Sequence, residues 1–174
     1  MKKLLLIISM LLIPATCWPV DGYKNLKFGI KKEFVKKSKL CNFKEIKQDG
    51  GSVVDVMACR DFKFNGINTQ AYAYFIDGKF LRFVFEVPNN QFTSLVEALG
   101  EKYGKASSGS SREEFQAVDK YPDREAYLSF DKDTIIIMIK SDTTGMQSIG
   151  IIYNSPDYDR LLAKKQKAGM RDSL

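Results

Sequence analysis

The 174-residue chain contains no histidine. That removes every mechanism and site built on imidazole: Ser-His-Asp and Cys-His nucleophilic catalysis, His-ligated zinc and His-ligated haem. Ser129-Phe130-Asp131-Lys132 has the S-x-x-K spacing, in which a lysine one helical turn from a serine accepts its proton. Here the four residues fall on a strand end and turn, where extended backbone separates the two side chains. No S-D-N or K-T-G partner accompanies them, so the match reads as chance. Asp131, Asp133 and Asp142 offer oxygens for calcium, but no D-x-[DN]-x-[DN]-G loop holds them, and they read as solvated turn residues. Lys79-Phe80-Leu81-Arg82-Phe83-Val84-Phe85 has the alternate aromatics of an RNA-binding strand. The positions where such a strand needs glycine are Phe80 and Arg82, so a core strand is expected. No metal, cofactor or nucleic-acid partner is therefore expected, and no catalytic residue is marked.

Two kinds of residue remain. Cys41 and Cys59 are expected to form a disulfide, since an exported chain passes through a compartment where disulfides persist. If Asp49-Gly50-Gly51 centres an antiparallel turn, positions summing to 100 face each other: 41 meets 59, Phe43 meets Met57, and Glu45 opposes Asp55. Lysines are the second kind. Lys24, Lys27, Lys31, Lys32, Lys36, Lys37 and Lys39 crowd a short segment with only Glu33 opposing, a density that could attract anionic lipid or an acidic protein face. Lys27, Lys31, Lys32, Lys36 and Lys37 are the candidate anionic-surface contacts; a solvated lysine-rich face is the plainer alternative.

Export is read from residues 1–17. Lys2 and Lys3 precede the apolar run Leu4 to Ile13, Pro14 breaks it, and small residues follow, the pattern of a cleaved signal peptide. The run is too short to span a bilayer, which needs about 20 apolar residues. Cleavage after Ala15 or Cys17 gives a periplasmic or secreted protein; acylation of Cys17 would give a lipoprotein. Losing Lys2 and Lys3 leaves 25 basic against 21 acidic residues, about +4. That is short of a dedicated nucleic-acid binder.

The elements that must position these residues read as α+β. Ile30, Phe34 and Val35 predict a short basic amphipathic helix within 28–38. Asn65-Gly66 and Asp77-Gly78, each flanked by aromatic and β-branched runs, predict a meander of 53–64, 67–76 and 79–87. Alternation places Leu81, Phe83, Phe85 and Val87 on the core face, and Phe80, Arg82, Val84 and Glu86 on the other. Asn89 or Asn90 caps a helix carrying Phe92, Leu95, Val96, Leu99 and Tyr103, which ends at Gly100 or Gly104. The Ser/Gly-rich stretch 105–112 reads as a flexible connector between a first half, 18–104, and a second, 113–174. In the second half, strands are expected at 126–130, 134–139 and 146–153, and a helix starts at Ser155-Pro156 with Tyr158, Leu161 and Leu162 inward. Phe92, Leu95 and Val96 align with these three at an offset of 66. Either the halves are a diverged β-β-β-α duplication, or strand-to-helix junctions simply use these residue types.

Leu26-Lys27-Phe28-Gly29-Ile30-Lys31-Lys32-Glu33-Phe34-Val35 and Leu99-Gly100-Glu101-Lys102-Tyr103-Gly104-Lys105 resemble the helix start and helix end of small exported bacterial α+β proteins. The nearest groups are the outer-membrane-assembly lipoproteins of the small-protein-A type and the β-lactamase-inhibitor-like fold. The resemblance implies a helix-plus-antiparallel-sheet module that binds proteins in the cell envelope. The lipoproteins carry a well-formed acylation site, from which Pro14-Ala15-Thr16 before Cys17 departs. The functional expectation is thus a non-enzymatic envelope module engaging a protein or membrane surface. The alternatives are a binder of a small molecule or lipid through the aromatics Tyr72, Tyr74, Phe75, Phe80 and Phe83, or a histidine-independent carboxylate hydrolase.

Overall fold

The computed structural model describes residues 19–47 and 52–172. Residues 1–17, expected to be an export signal and including Cys17, and residues 49–51, expected to form a turn, lie outside the described residues. The fold is α+β. A small hairpin, β1 (Gly22–Tyr23) and β2 (Leu26–Lys27), precedes α1 (Lys32–Lys36). The remaining strands are β3 (Lys44–Ile46), β4 (Asp55–Phe64), β5 (Ile67–Ile76), β6 (Lys79–Val87), β7 (Ser108–Gly109), β8 (Arg124–Phe130), β9 (Ile135–Ser141) and β10 (Gln147–Asn154). They build one antiparallel sheet in the order β3-β4-β5-β6-β10-β9-β8-β7. Helices α2 (Phe92–Tyr103), α3 (Arg112–Lys120) and α4 (Tyr158–Asp172) complete it.

The two Xaa-Gly turns explain the meander. Asn65 and Gly66, and Asp77 and Gly78, all have positive φ, the geometry of a two-residue turn whose twist matches that of the flanking strands. At the sheet centre β6 and β10 pair antiparallel, with Phe85 opposite Ile151. These two residues are themselves 66 apart, and the same offset carries β4, β5, β6 and α2 close to the positions of β8, β9, β10 and α4. The strands of the halves are therefore arranged about a local twofold through the Phe85/Ile151 pair. The helices break it: Leu95, Val96 and Leu99 of α2 pack on the main core, whereas Tyr158, Leu161 and Leu162 of α4 pack on Ile76 and Leu81.

The core lies on one face of this sheet. Phe83 is fully buried amid rings of Tyr23, Phe62 and Phe85, with centroids 4.8, 5.4 and 5.8 Å away. Ile135, Ile137, Ile149 and Ile151 extend the core across the second half. Burying each such side chain contributes roughly 1.5–3 kcal/mol. The hairpin β1–β2, which precedes the first element expected from the sequence, covers this face through Tyr23 and Leu26. Only glycine suits its start: a Cβ on Gly22 would lie 1.9 Å from the Leu26 carbonyl oxygen.

Two bulges correct the face assignment. On β6, Tyr74 pairs Arg82 but Phe75 pairs Phe80, so Leu81 is an extra residue. Phe80 thereby joins the main core, while Leu81 turns to the reverse face under Tyr158. On β4, Cys59 pairs Ala71 and Phe62 pairs Thr69, which places the extra residue at Arg60-Asp61 and brings both Cys59 and Phe62 inward.

Other expectations are also corrected. Helix α1 is a single short turn of helix; Val35 is buried, but Phe34 is 63% exposed, because five residues give too little helix to turn both toward the sheet. Neither Asn89 nor Asn90 caps α2. Asn89 instead donates its side-chain amide to the Gln147 carbonyl at 2.8 Å, and a 3-10 turn, Asn89–Gln91, leads into the helix. Gly104 ends α2 with φ 82° and its N–H on the Gly100 carbonyl. The 105–112 stretch is ordered. Ser107 and Ser108 both donate hydroxyls to Asp133, Ser108–Gly109 forms the edge strand β7, and Ser111 with Glu114 makes a reciprocal capping box on α3.

Candidate functional site

The disulfide forms between Cys41 and Cys59, but the register that suggested it is shifted by two. Lys44 faces Ala58 and Glu45 faces Met57, so Cys41 bridges diagonally to Cys59 with Cα atoms 6.2 Å apart. The shift also removes the head-on opposition of Glu45 and Asp55. Lys32 reaches both carboxylates, at 4.0 and 3.1 Å.

The five lysines singled out from sequence divide. Lys27 pairs with Asp21 at 2.7 Å, which holds the Asp21 carboxyl below its usual range and the Lys27 ammonium above. Lys32 is engaged as described, and its ammonium also lies over the Phe75 ring. Lys31 is exposed, and its backbone bridges to Lys79 at the start of β6. Lys36 and Lys37, at the end of α1, are the two that line a cleft.

That cleft, of about 660 Å³, is bordered by Lys36, Lys37, Lys39, Lys44, Cys41 and Asn42. A second of about 520 Å³ shares Lys39, Cys41 and Asn42 and adds Lys24, Lys63 and Asp61. Six lysines thus line the two clefts beside the disulfide. The one carboxylate among them, Asp61, sits at the β4 bulge and accepts from the Asn42 backbone N–H at 3.0 Å and from its side-chain amide. None of Lys36, Lys37, Lys39, Lys44 and Lys63 has a carboxylate partner among the described residues. The disulfide fixes the Lys39 to Lys44 loop against β4, so these charges are held together rather than free to spread.

Lys63 escapes a linear reading because it comes from beyond the bulge of β4; the β3–β4 pairing and the disulfide together bring it and Lys44 toward Lys36 and Lys39. Cys41, Cys59 and Asp61 lie close enough to suggest metal ligands, but both sulfurs are consumed in the disulfide. The gathered lysines give this part of the surface a locally positive character. Of the aromatics considered for a ligand face, Phe75, Phe80 and Phe83 are core, while Tyr72 and Tyr74 lie half-buried on the reverse face. Among the described residues no helix is long and apolar enough to cross a membrane.

A family model described as "Uncharacterised protein" matches residues 23–173. A curated protein of Haemophilus influenzae (strain ATCC 51907 / DSM 11121 / KW20 / Rd), described as "Uncharacterized protein", is 32% identical over 174 residues, covering 99% of this chain and 98% of the relative. No solved structure matches. The matched span runs from Tyr23 of the β1–β2 hairpin to the end of α4, taking in the whole sheet and the disulfide, and the chain belongs to this family of uncharacterised proteins.

Proposed function

We propose that this protein is an exported, non-enzymatic module of the bacterial envelope that uses the lysine belt around Cys41–Cys59 to engage an anionic surface. The observation that carries the reading is the gathering of Lys36, Lys37, Lys39, Lys44 and Lys63 beside one disulfide, with Asp61 the one carboxylate lining the same clefts and none of the five in an ion pair among the described residues. Export is supported by the signal-like pattern of residues 1–17 and by the disulfide, which suits an oxidising compartment. The envelope setting is also supported by the resemblance of Leu26 to Val35 and Leu99 to Lys105 to small-protein-A-type and β-lactamase-inhibitor-like proteins.

Each lysine near an anionic bilayer contributes about 1 kcal/mol, and the attraction falls off within a Debye length. The test is cosedimentation with phosphatidylglycerol-containing vesicles against neutral phosphatidylcholine vesicles. The expected result is binding to the anionic vesicles alone, released by 0.5 M NaCl and abolished by combined Lys36→Glu, Lys37→Glu and Lys39→Glu. Equal retention of that variant on anionic vesicles would overturn the membrane form of the reading. Intact mass of the protein from cell fractions, with and without reduction, checks export, by a mature start near residue 16 or 18 and thiols at 41 and 59 that react only after reduction.

A further inference from the structure

A third cleft lies between the β1–β2 hairpin and the C-terminal end of α2. It encloses about 740 Å³, within the range of small-ligand sites. It shares Lys24 with the lysine belt, but the rest of its lining is largely aromatic. Tyr23 and Tyr153 meet edge to face with centroids 4.8 Å apart, Tyr103 comes from the last turn of α2, and Phe64 closes one wall. Two ammonium groups attend these rings: Lys24 lies 5.4 Å from the Tyr23 centroid and Lys102 lies 4.9 Å from that of Tyr103. Neither has a carboxylate partner among the described residues. The one acidic side chain in the lining, Asp21, is already held by Lys27.

We propose that this cleft binds a small organic anion with an aromatic body. Tyr23 and Tyr153 are buried in the aromatic core, while the half-buried rings of Tyr103 and Phe64 offer surface for offset or edge-to-face stacking. The two ammonium groups match a carboxylate, sulfonate or phosphate at the edge of the ligand. The phenols complement them as neutral donors, since burial pushes Tyr23 up to about 12 and, with Tyr103 beside it, raises Tyr153 as well.

The test uses 1-anilinonaphthalene-8-sulfonate, an aromatic anion whose fluorescence rises on transfer to an apolar site, with neutral N-phenyl-1-naphthylamine as comparison. The purified protein should bind one sulfonate saturably. Lys24→Gln with Lys102→Gln should weaken that binding fivefold or more while leaving the neutral amine within twofold, which shows the cleft still formed. Unsaturable fluorescence, or a sulfonate affinity that changes less than fivefold in the double variant, would overturn the proposal. Lys102 lines this cleft and not the lysine belt. Lys102→Gln alone should therefore leave vesicle binding unchanged, keeping the outcomes for the two sites separate.

Discussion

Removing the disulfide by Cys41→Ala with Cys59→Ala tests the frame on which the lysine belt is built. The two cysteines are 18 residues apart. A loop of that length, closed in the unfolded chain, contributes about 3 kcal/mol on the chain-entropy model. Alanine is the replacement of choice because Cys59 is buried, and a serine hydroxyl there would need a hydrogen-bond partner. A domain of this size loses roughly 2–4 °C of melting temperature per kcal/mol, so the variant should melt roughly 6–12 °C lower. Urea unfolding followed by far-ultraviolet circular dichroism supplies a second reading. Without the crosslink the unfolded chain expands and exposes more surface, so the slope of free energy against urea should steepen as the midpoint falls. Dithiothreitol should reproduce both changes in the parent protein and do nothing to the variant. A loss below about 1 kcal/mol with an unchanged slope would refute the view that this crosslink restrains the unfolded chain.

Three further outcomes follow from the packing. Phe83→Ala, which removes the ring at the centre of the aromatic core, should cost about 3–5 kcal/mol by urea midpoint, whereas Val84→Ala on the half-exposed reverse face should cost far less. Ser111→Ala breaks the capping box of α3 and should cost about 1 kcal/mol, readable as a small fall in melting temperature. Stability should fall as pH rises beyond 10: the raised Tyr23 and Tyr153 give stability that is full below the unfolded tyrosine value of 10 and lost as the folded values are approached. Tyr153→Phe should flatten that alkaline loss in melts taken between pH 9 and 11.5, with tyrosinate absorbance at 295 nm tracking the ionisation.

The meander was legible because its turns are chemical punctuation. Asn65-Gly66 and Asp77-Gly78 place β5 and β6 at residues 67–76 and 79–87, and β4 two residues shorter than its pattern suggests. What the pattern could not carry is parity. One extra residue in β6 exchanges Phe80 and Leu81 between faces, and since both are apolar, strict alternation has nothing to choose between them. The β1–β2 hairpin hid behind Lys24-Asn25, a turn that gains its positive φ at a lysine rather than at glycine. Helix α3 did announce itself, through Ser111 and Glu114 at capping-box spacing, but the serines before it dominate a compositional reading. In the belt, lysine density was visible, while the division between Lys27 and Lys32, which are engaged, and Lys36 and Lys37, which have no ion pair among the described residues, depends on where Asp21 and Asp55 land.

The pairing of β6 with β10 has a consequence for the kinetics of folding. Strands β4, β5 and β6 close on one another through hairpins, as do β8, β9 and β10, so each half can assemble from contacts near in sequence. The joint between them cannot. Bringing Val87 to Ile149 closes a loop roughly five doublings longer than a two-residue turn, at an added entropic cost of about 3 kcal/mol. Docking of the halves is therefore the expected slow step, and until it occurs β6 and β10 each present an open apolar edge. The strand that completes either edge in the native fold is equally available on another molecule. Refolding at high concentration should thus divert chains into exchanged dimers, joined by the same Phe85/Ile151 register that closes the monomer.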